Sequence, residues 1–212
     1  MHLIDTAGPG GAETVFAQLA AEMGNRGTRS LTVVPREDWL TSKLRELQLE
    51  PVLLDARGSM NVKYLRALFA LARREKVRLI HTHLLGSAVY GVLLGMLTGC
   101  PVLAVIHGPT DLKSVGSFAS VKRLLLRRGC SAIVAVSTST RTALIDFGIP
   151  ADAIHLIPNG VSTEFYAPGE ALDLREELGV GPHQPLIGAV GNIRSPKAYD
   201  VLLKAAARVL ER

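Results

Sequence analysis

Residues 5–13 read Asp5-Thr-Ala-Gly-Pro-Gly-Gly-Ala-Glu13, closing a short apolar run and opening a helical pattern. Gly8, Gly10 and Gly11 carry no Cβ, so the backbone there turns tightly and a ligand can approach closely. The helix that follows aims unpaired N–H groups and a positive dipole end at that ligand. An anion, above all a phosphate, suits such a place. A tight turn with no ligand is the plainer alternative. A dinucleotide fingerprint, G-x-G-x-x-G, is excluded on two counts. Glu13 stands where the third small residue must pack helix against strand, and 31–34 runs into Pro35 and Arg36 instead of an acidic residue.

Outward from this loop, β-rich runs alternate with helical patterns. Strands are expected at 2–4, 30–34, 51–54, 77–82, 102–106, 132–136 and 154–157. Helices are expected at 14–23, 39–47, 61–75, 87–97, 117–128 and 140–147, where apolar residues recur every three or four positions. Seven strands separated by helices predict an α/β fold, a Rossmann-like doubly wound parallel sheet. Right-handed crossovers then place ligands at the carboxyl ends of the strands.

A boundary is expected after this sheet. Residues 1–160 form the first domain, 161–184 a linker with a helix at 172–178, and 185–212 the start of a second Rossmann-like domain. There a strand at 185–190, a loop at 191–197 and a helix at 200–210 are expected. One strand, one loop and one helix bury too little surface for a core. The second domain is therefore expected to be truncated, and the chain alone to lack useful activity.

Composition narrows the classes. A hydrophobic share of 48% with 20% charged residues describes a globular chain with a substantial core. The net charge of +5 permits an anionic partner. Nucleic acid is not expected, because aromatics make up 5% and do not interleave with basic residues as a stacking platform. Cys100 and Cys130 lack metal-ligand spacing and read as reduced, buried thiols of a cytoplasmic protein. The first apolar run is too short for a secretory signal, and 88–97 is too short and glycine-broken to span a bilayer.

Polar residues recur where the expected strands end. The run 79–80 delivers His81-Thr-His83, 102–106 delivers His107-Gly108, and 132–136 delivers Ser137-Thr-Ser-Thr140 at a helix start. Hydroxyls there cap the helix or meet an anion. His81 and His83 have an i, i+2 spacing, but no third ligand stands at supporting distance, so no metal is expected.

Six motifs then carry a family resemblance. Gly10-Gly-Ala-Glu13, Ile80-His-Thr-His83, His107-Gly108, Val136-Ser137, Ile157-Pro-Asn-Gly-Val161 and Gly191-Asn-Ile-Arg-Ser-Pro-Lys197 occur in the order seen in glycosyltransferase family 4. The resemblance covers nearly the whole chain and implies the GT-B fold, two Rossmann-like domains facing across a cleft. It implies a retaining enzyme that moves a sugar from a nucleotide-sugar to a glycan, lipid-linked or other acceptor, with no cofactor or metal. The N-terminal domain would hold the acceptor and the C-terminal one the nucleotide. Carried over by residue, Gly10, Gly11, Ser137 and Asn192 would meet the donor or its phosphates. His107 would contact the transferring sugar, and Lys197 would neutralise the diphosphate with Arg194. Glu13, His81, His83 and Gly108 would lie on the acceptor side. Departures are Asn192 in place of the usual arginine, with Arg194 two places on, and Ala198 in place of a glycine. Two other readings stay open: a binding module without its donor half, and a GT-B nucleotide-sugar epimerase.

The stretch 113–128 holds no acidic residue. On a helical wheel Phe118, Val121 and Leu125 share one side, opposite Arg123 and Arg127, with Lys122 and Arg128 flanking. A basic amphipathic helix of this kind suits an anionic membrane surface. The competing expectation is that its apolar side packs on the sheet. The protein is accordingly expected at the cytoplasmic face of a membrane.

Overall fold

The computed structural model describes residues 1–57, 61–113, 118–161, 163, 174–191, 193 and 195–210, with only the backbone at 113 and 196. It divides into two units, Met1–Val161 and Ser162–Arg212.

The first unit contains β1 (His2–Ile4), α1 (Gly11–Asn25), β2 (Thr32–Val34), α2 (Trp39–Glu46), β3 (Val52–Leu53) and α3 (Val62–Arg74). It continues with β4 (Ile80–His83), α4 (Leu85–Thr98), β5 (Val102–Ile106), α5 (Thr110–Lys113), α6 (Ala119–Gly129), β6 (Ala132–Ala135), α7 (Thr138–Asp146) and β7 (Ile154–Leu156). The seven strands form one sheet in the order β3-β2-β1-β4-β5-β6-β7, every pair parallel. This is the expected doubly wound sheet. Its central strands β1, β2 and β4 are buried along their whole length, as strands covered on both faces must be.

Local chemistry sets the helices. Asn61 starts α3 by accepting the Tyr64 N–H at 3.0 Å, and Asp38 and Thr41 form a reciprocal capping box on α2. In α3 the buried Tyr64, Leu68, Leu71 and Ala72 fall on one stripe, which faces the core. Helix α4 is apolar nearly all round because it packs on β4 and β5 and also against α3 and α6. Gly91 lets it lie that close, since a Cβ there would run into the Thr82 side chain.

Three details differ from expectation. The strand expected at 77–82 runs instead from Ile80 to His83. His81 pairs with His2 and Leu103, and His83 with Ile4 and Val105. Both histidines therefore lie inside the sheet and not beyond its edge. The short helix α5 follows His107-Gly108-Pro109 and was not foreseen. On α6 it is Leu126 that is sealed in the core and Leu125 that packs part-way, whereas Phe118 and Val121 face outward.

The second unit holds α8 (Leu174–Glu177), a 3-10 turn over Ser195–Lys197 and α9 (Tyr199–Leu210). Residues 172–173 of the expected linker helix lie outside the described residues. The strand expected at 185–190 does not form. Its Ile187 and Val190 are exposed, and no described residue offers it a ladder of hydrogen bonds. A strand without a neighbour has no reason to persist. The loop folds locally: the Tyr199 hydroxyl donates to the Gly191 carbonyl at 3.0 Å. Ala198 adopts φ 49°, a left-handed conformation that costs a residue with a Cβ about 1–2 kcal/mol.

Candidate functional site

The strand order reverses between β1 and β4: from β1 the chain steps outward through β2 and β3, then returns to the other side. Carboxyl ends of neighbouring strands part at such a point and leave a crevice. Asp5 and the glycine loop follow β1, Leu84 follows β4, and His107 follows β5. The reading of 5–13 as a strand-to-helix loop at the ligand-binding edge is thus matched by its position.

Gly10 is the N-cap of α1, extended and without a side-chain cap, so the first N–H groups of the helix keep their capacity for a ligand. A Cβ added to Gly11 would meet nothing within 4 Å, which marks that side as open. Glu13 is buried and folds its carboxylate over Gly10, in the space where a Cβ of Gly10 would stand. The helix start is therefore closed on the Gly10 side and open on the Gly11 side.

Asp5 was not singled out by its motif, yet it is central here. Burial pushes its carboxyl up to about 6, with nearby Asp111 and Glu13 adding to the rise and N–H donors from Asp5 itself and Ser87 opposing it. A Cβ at Gly86 would overlap the Asp5 carboxylate, so its absence gives that carboxylate its place. Burial likewise raises Asp111, whose carboxylate accepts the His107 backbone N–H at 3.1 Å. Leu84 takes φ 73°, ψ 160°, a region populated almost only by glycine, at the turn from β4 into α4. Such strain concentrates at functional sites and is held there by surrounding structure.

Behind this edge stands a row of four histidines, of which His83 and His107 are stacked and the others tilted. His83 Nδ1 lies 2.9 Å from His107 Nε2, with the rings 5.1 Å apart and 22° from parallel. His81 follows at 4.7 Å from His83, and His2 at 5.1 Å from His81. Phe16 of α1 meets His2 and His83 edge-on. Burial lowers all four: His2 to about 3, His81 and His107 to about 4, and His83 well below its usual value. They are neutral at pH 7, so His107 offers hydrogen bonds and no charge. Of the two expected on the acceptor side, His83 is sealed in the core beneath Phe16 and cannot touch an acceptor directly, while His81 is buried in the sheet and turns to a cavity at its amino edge. His2, His81 and His83 place their ligand atoms within 4.8 Å of one another. A tetrahedral zinc at about 2.0–2.1 Å from each nitrogen would have to draw that set inward.

The remaining expected residues are dispersed. Gly108 follows His107 and precedes the turn into α5. Ser137 is the N-cap of α7, where its hydroxyl accepts the Thr140 N–H at 3.1 Å. Lys197 is exposed in the second unit, and Asn192 and Arg194 lie outside the described residues. Lys122, Arg123, Arg127 and Arg128 belong to α6. A separate cavity at the opposite, amino edge of the sheet is lined by His2, His81, Arg29, Lys76 and Arg78. Arg29 there is paired with Glu75 at 2.6 Å.

With this geometry in hand, comparison with known proteins is direct. The family described as Glycosyltransferase Family 4 matches residues 9–165. A D-inositol 3-phosphate glycosyltransferase of Nocardia farcinica is 41% identical over 66 residues, which is 31% of this chain and 15% of that one. A UDP-Gal:alpha-D-GlcNAc-diphosphoundecaprenol alpha-1,3-galactosyltransferase of Escherichia coli is 24% identical over 185 residues, 84% of this chain and 48% of that one. The crystal structure of Anabaena Alr3699/HepE in complex with UDP superposes with a TM-score of 0.73 at 20% identity, covering 84% of this chain and 49% of that one. This chain thus spans less than half the length of each of these proteins. No helix among the described residues is long and apolar enough to cross a membrane.

Proposed function

Because this chain belongs to Glycosyltransferase Family 4, we propose that it supplies the acceptor-side domain of an enzyme that moves a sugar from a nucleotide-sugar to a glycan or lipid-linked acceptor, with retention and without a metal ion. One observation carries the reading: the open start of α1 at Gly11, the carboxyls of Asp5, Glu13 and Asp111, and His107 converge on the carboxyl edge where the strand order reverses. The two chemistries there are complementary. Bare N–H groups at a helix start suit a phosphate, and carboxyls suit the hydroxyls of a sugar. The UDP held by the Anabaena relative supports a nucleoside diphosphate as the carrier. Lys197, with Arg194, is assigned to the charge of that leaving group.

The expected result for Gly11→Val, in the protein expressed from its own gene, is a loss of transfer on the order of 100-fold, the cost of displacing a reacting group by about 1 Å. Folding stays near wild type, within roughly 0.5 kcal/mol, because the new side chain points into open space at the first turn of a helix. Unchanged turnover in a folded variant would remove the loop from the site.

The membrane assignment belongs to this proposal too. Phe118, Val121 and Leu124 are 61%, 52% and 50% exposed, beside exposed Arg127 and Arg128. Leu126 meanwhile anchors α6 in the core, so separate residues serve the two faces of one helix. Each basic residue near an anionic leaflet contributes about 1 kcal/mol, enough for salt-sensitive docking. Sedimentation with phosphatidylserine-containing liposomes should pull the protein down, and Arg127→Gln with Arg128→Gln should weaken this severalfold. Equal binding to neutral liposomes would instead mark α6 as an ordinary solvated helix.

A further inference from the structure

The bond between His83 and His107 leaves a choice that the surroundings decide. Two neutral imidazoles 2.9 Å apart share one proton: either His83 Nδ1–H donates to His107 Nε2, or His107 Nε2–H donates to His83 Nδ1. Each choice fixes the far nitrogen of both rings. In the first, His83 keeps a bare Nε2 and His107 carries its N–H on Nδ1. In the second, His83 must carry an N–H on Nε2 and His107 Nδ1 is bare.

Both far nitrogens are buried, and neither has a hydrogen-bond partner among the described residues. Their positions differ, however. His83 is 0% exposed, edge-on to Phe16 and tied to α4 by the Ser87 hydroxyl, which donates to the His83 carbonyl. An N–H on its Nε2 would be a sealed donor with no acceptor, the rarest of buried polar groups. A bare nitrogen in the same place is the milder burden. His107 Nδ1 is buried too, but it belongs to a partly exposed residue at the carboxyl edge, whereas His83 is sealed entirely. The orphan N–H is therefore less costly on His107.

We propose that His83 fixes the proton of His107 on Nδ1, so that His107 presents an N–H donor to a ligand oxygen at the carboxyl edge. His83 is thus a positioning residue: it touches no substrate and sets which nitrogen of its neighbour is bare. The rings of Phe16, His81 and His107 packed around it hold the His83 ring against rotation. The ligand oxygen is that of a sugar or phosphate, and this part rests on the transferase reading above.

The test is nitrogen NMR on the 212-residue chain labelled with 15N-histidine at pH 7.5, with His107 assigned by its loss in His107→Gln. The expected result is Nδ1 of His107 in the protonated range and Nε2 in the bare range, with the same pattern for His83. His83→Phe keeps a ring against Phe16 but removes the donor, and should shift His107 toward the Nε2–H form. His83→Asn, whose amide N–H stands about where Nδ1 did, should restore Nδ1–H. Wild-type His107 protonated on Nε2 would overturn the proposal, with no variant needed. So would a His107 tautomer that is the same in His83→Phe and wild type. The readout is independent of turnover. Should His107→Gln transfer sugar normally while the tautomer is as stated, the functional reading fails and the positioning role of His83 stands.

Discussion

Lowering the pH from 6.5 toward 4 should unfold the first unit cooperatively, and this is the largest stability effect we expect. His2, His81, His83 and His107 are neutral in the fold, with values of about 3, about 4, well below the usual 6.5 and about 4. In the unfolded chain they take up protons near 6.5. A depressed folded value means stability that is present above the unfolded value and is lost as pH falls. Each excess proton on the unfolded chain costs about 1.4 kcal/mol per pH unit. Asp5 works the other way: its value is raised to about 6, so the fold holds a proton that the unfolded chain releases near 3.8. Four imidazoles against one carboxyl leave a slope of about 4 kcal/mol per pH unit, which the raised Asp111 reduces in the same sense as Asp5. Domain stabilities of roughly 5–15 kcal/mol do not survive many such units. Circular dichroism against pH reads this directly, and His81→Leu should make the transition shallower by about one proton. A fold unchanged between pH 6.5 and 4 would contradict the buried, neutral histidine row.

Lys197→Ala should lower transfer by about a hundred- to a thousandfold in the protein expressed from its own gene. A diphosphate leaving with its electrons gains negative charge, and a preorganised cation is worth that much when removed. Lys197 stands at the end of a 3-10 turn, just before the left-handed Ala198, with its stem along Gly191. Its side chain is exposed and buried by nothing, so the substitution should leave stability unchanged. Lys197→Arg should recover part of the rate, since the charge is kept while its shape changes. Normal turnover in Lys197→Ala would place the lysine outside the chemistry.

How far these residues were legible in the sequence follows from the range of the interactions. The alternation of strands and helices is local, and the sheet, its parallel pairing and the placement of 5–13 at the carboxyl end of β1 follow from it. Which strand lies beside β1 is a long-range fact. Nothing near His81 and His83 says that they will pair against His2 and Ile4, so an i, i+2 pair at a strand end looks the same whether it is exposed or sealed. Asp5 carries no motif of its own; its importance comes from α4 arriving with Gly86 and Ser87. On α6 the wheel identified an apolar side but left open whether it meets a membrane or the sheet. The sheet selects Leu126 instead, because that residue reaches the cluster around Ile106 and Leu144. The strand expected at 185–190 shows the same lesson in reverse: its composition is right, and strand pairing is a property of neighbours.

Transfer itself tests the central claim most directly. The protein expressed from its own gene would be incubated with UDP-glucose or UDP-galactose and a membrane lipid extract, and the product linkage read by proton NMR. The account predicts UDP release that depends on the extract, with the sugar joined in the same anomeric configuration that it had in the donor. Conversion of the nucleotide-sugar to its epimer without any acceptor, or an inverted linkage, would contradict it.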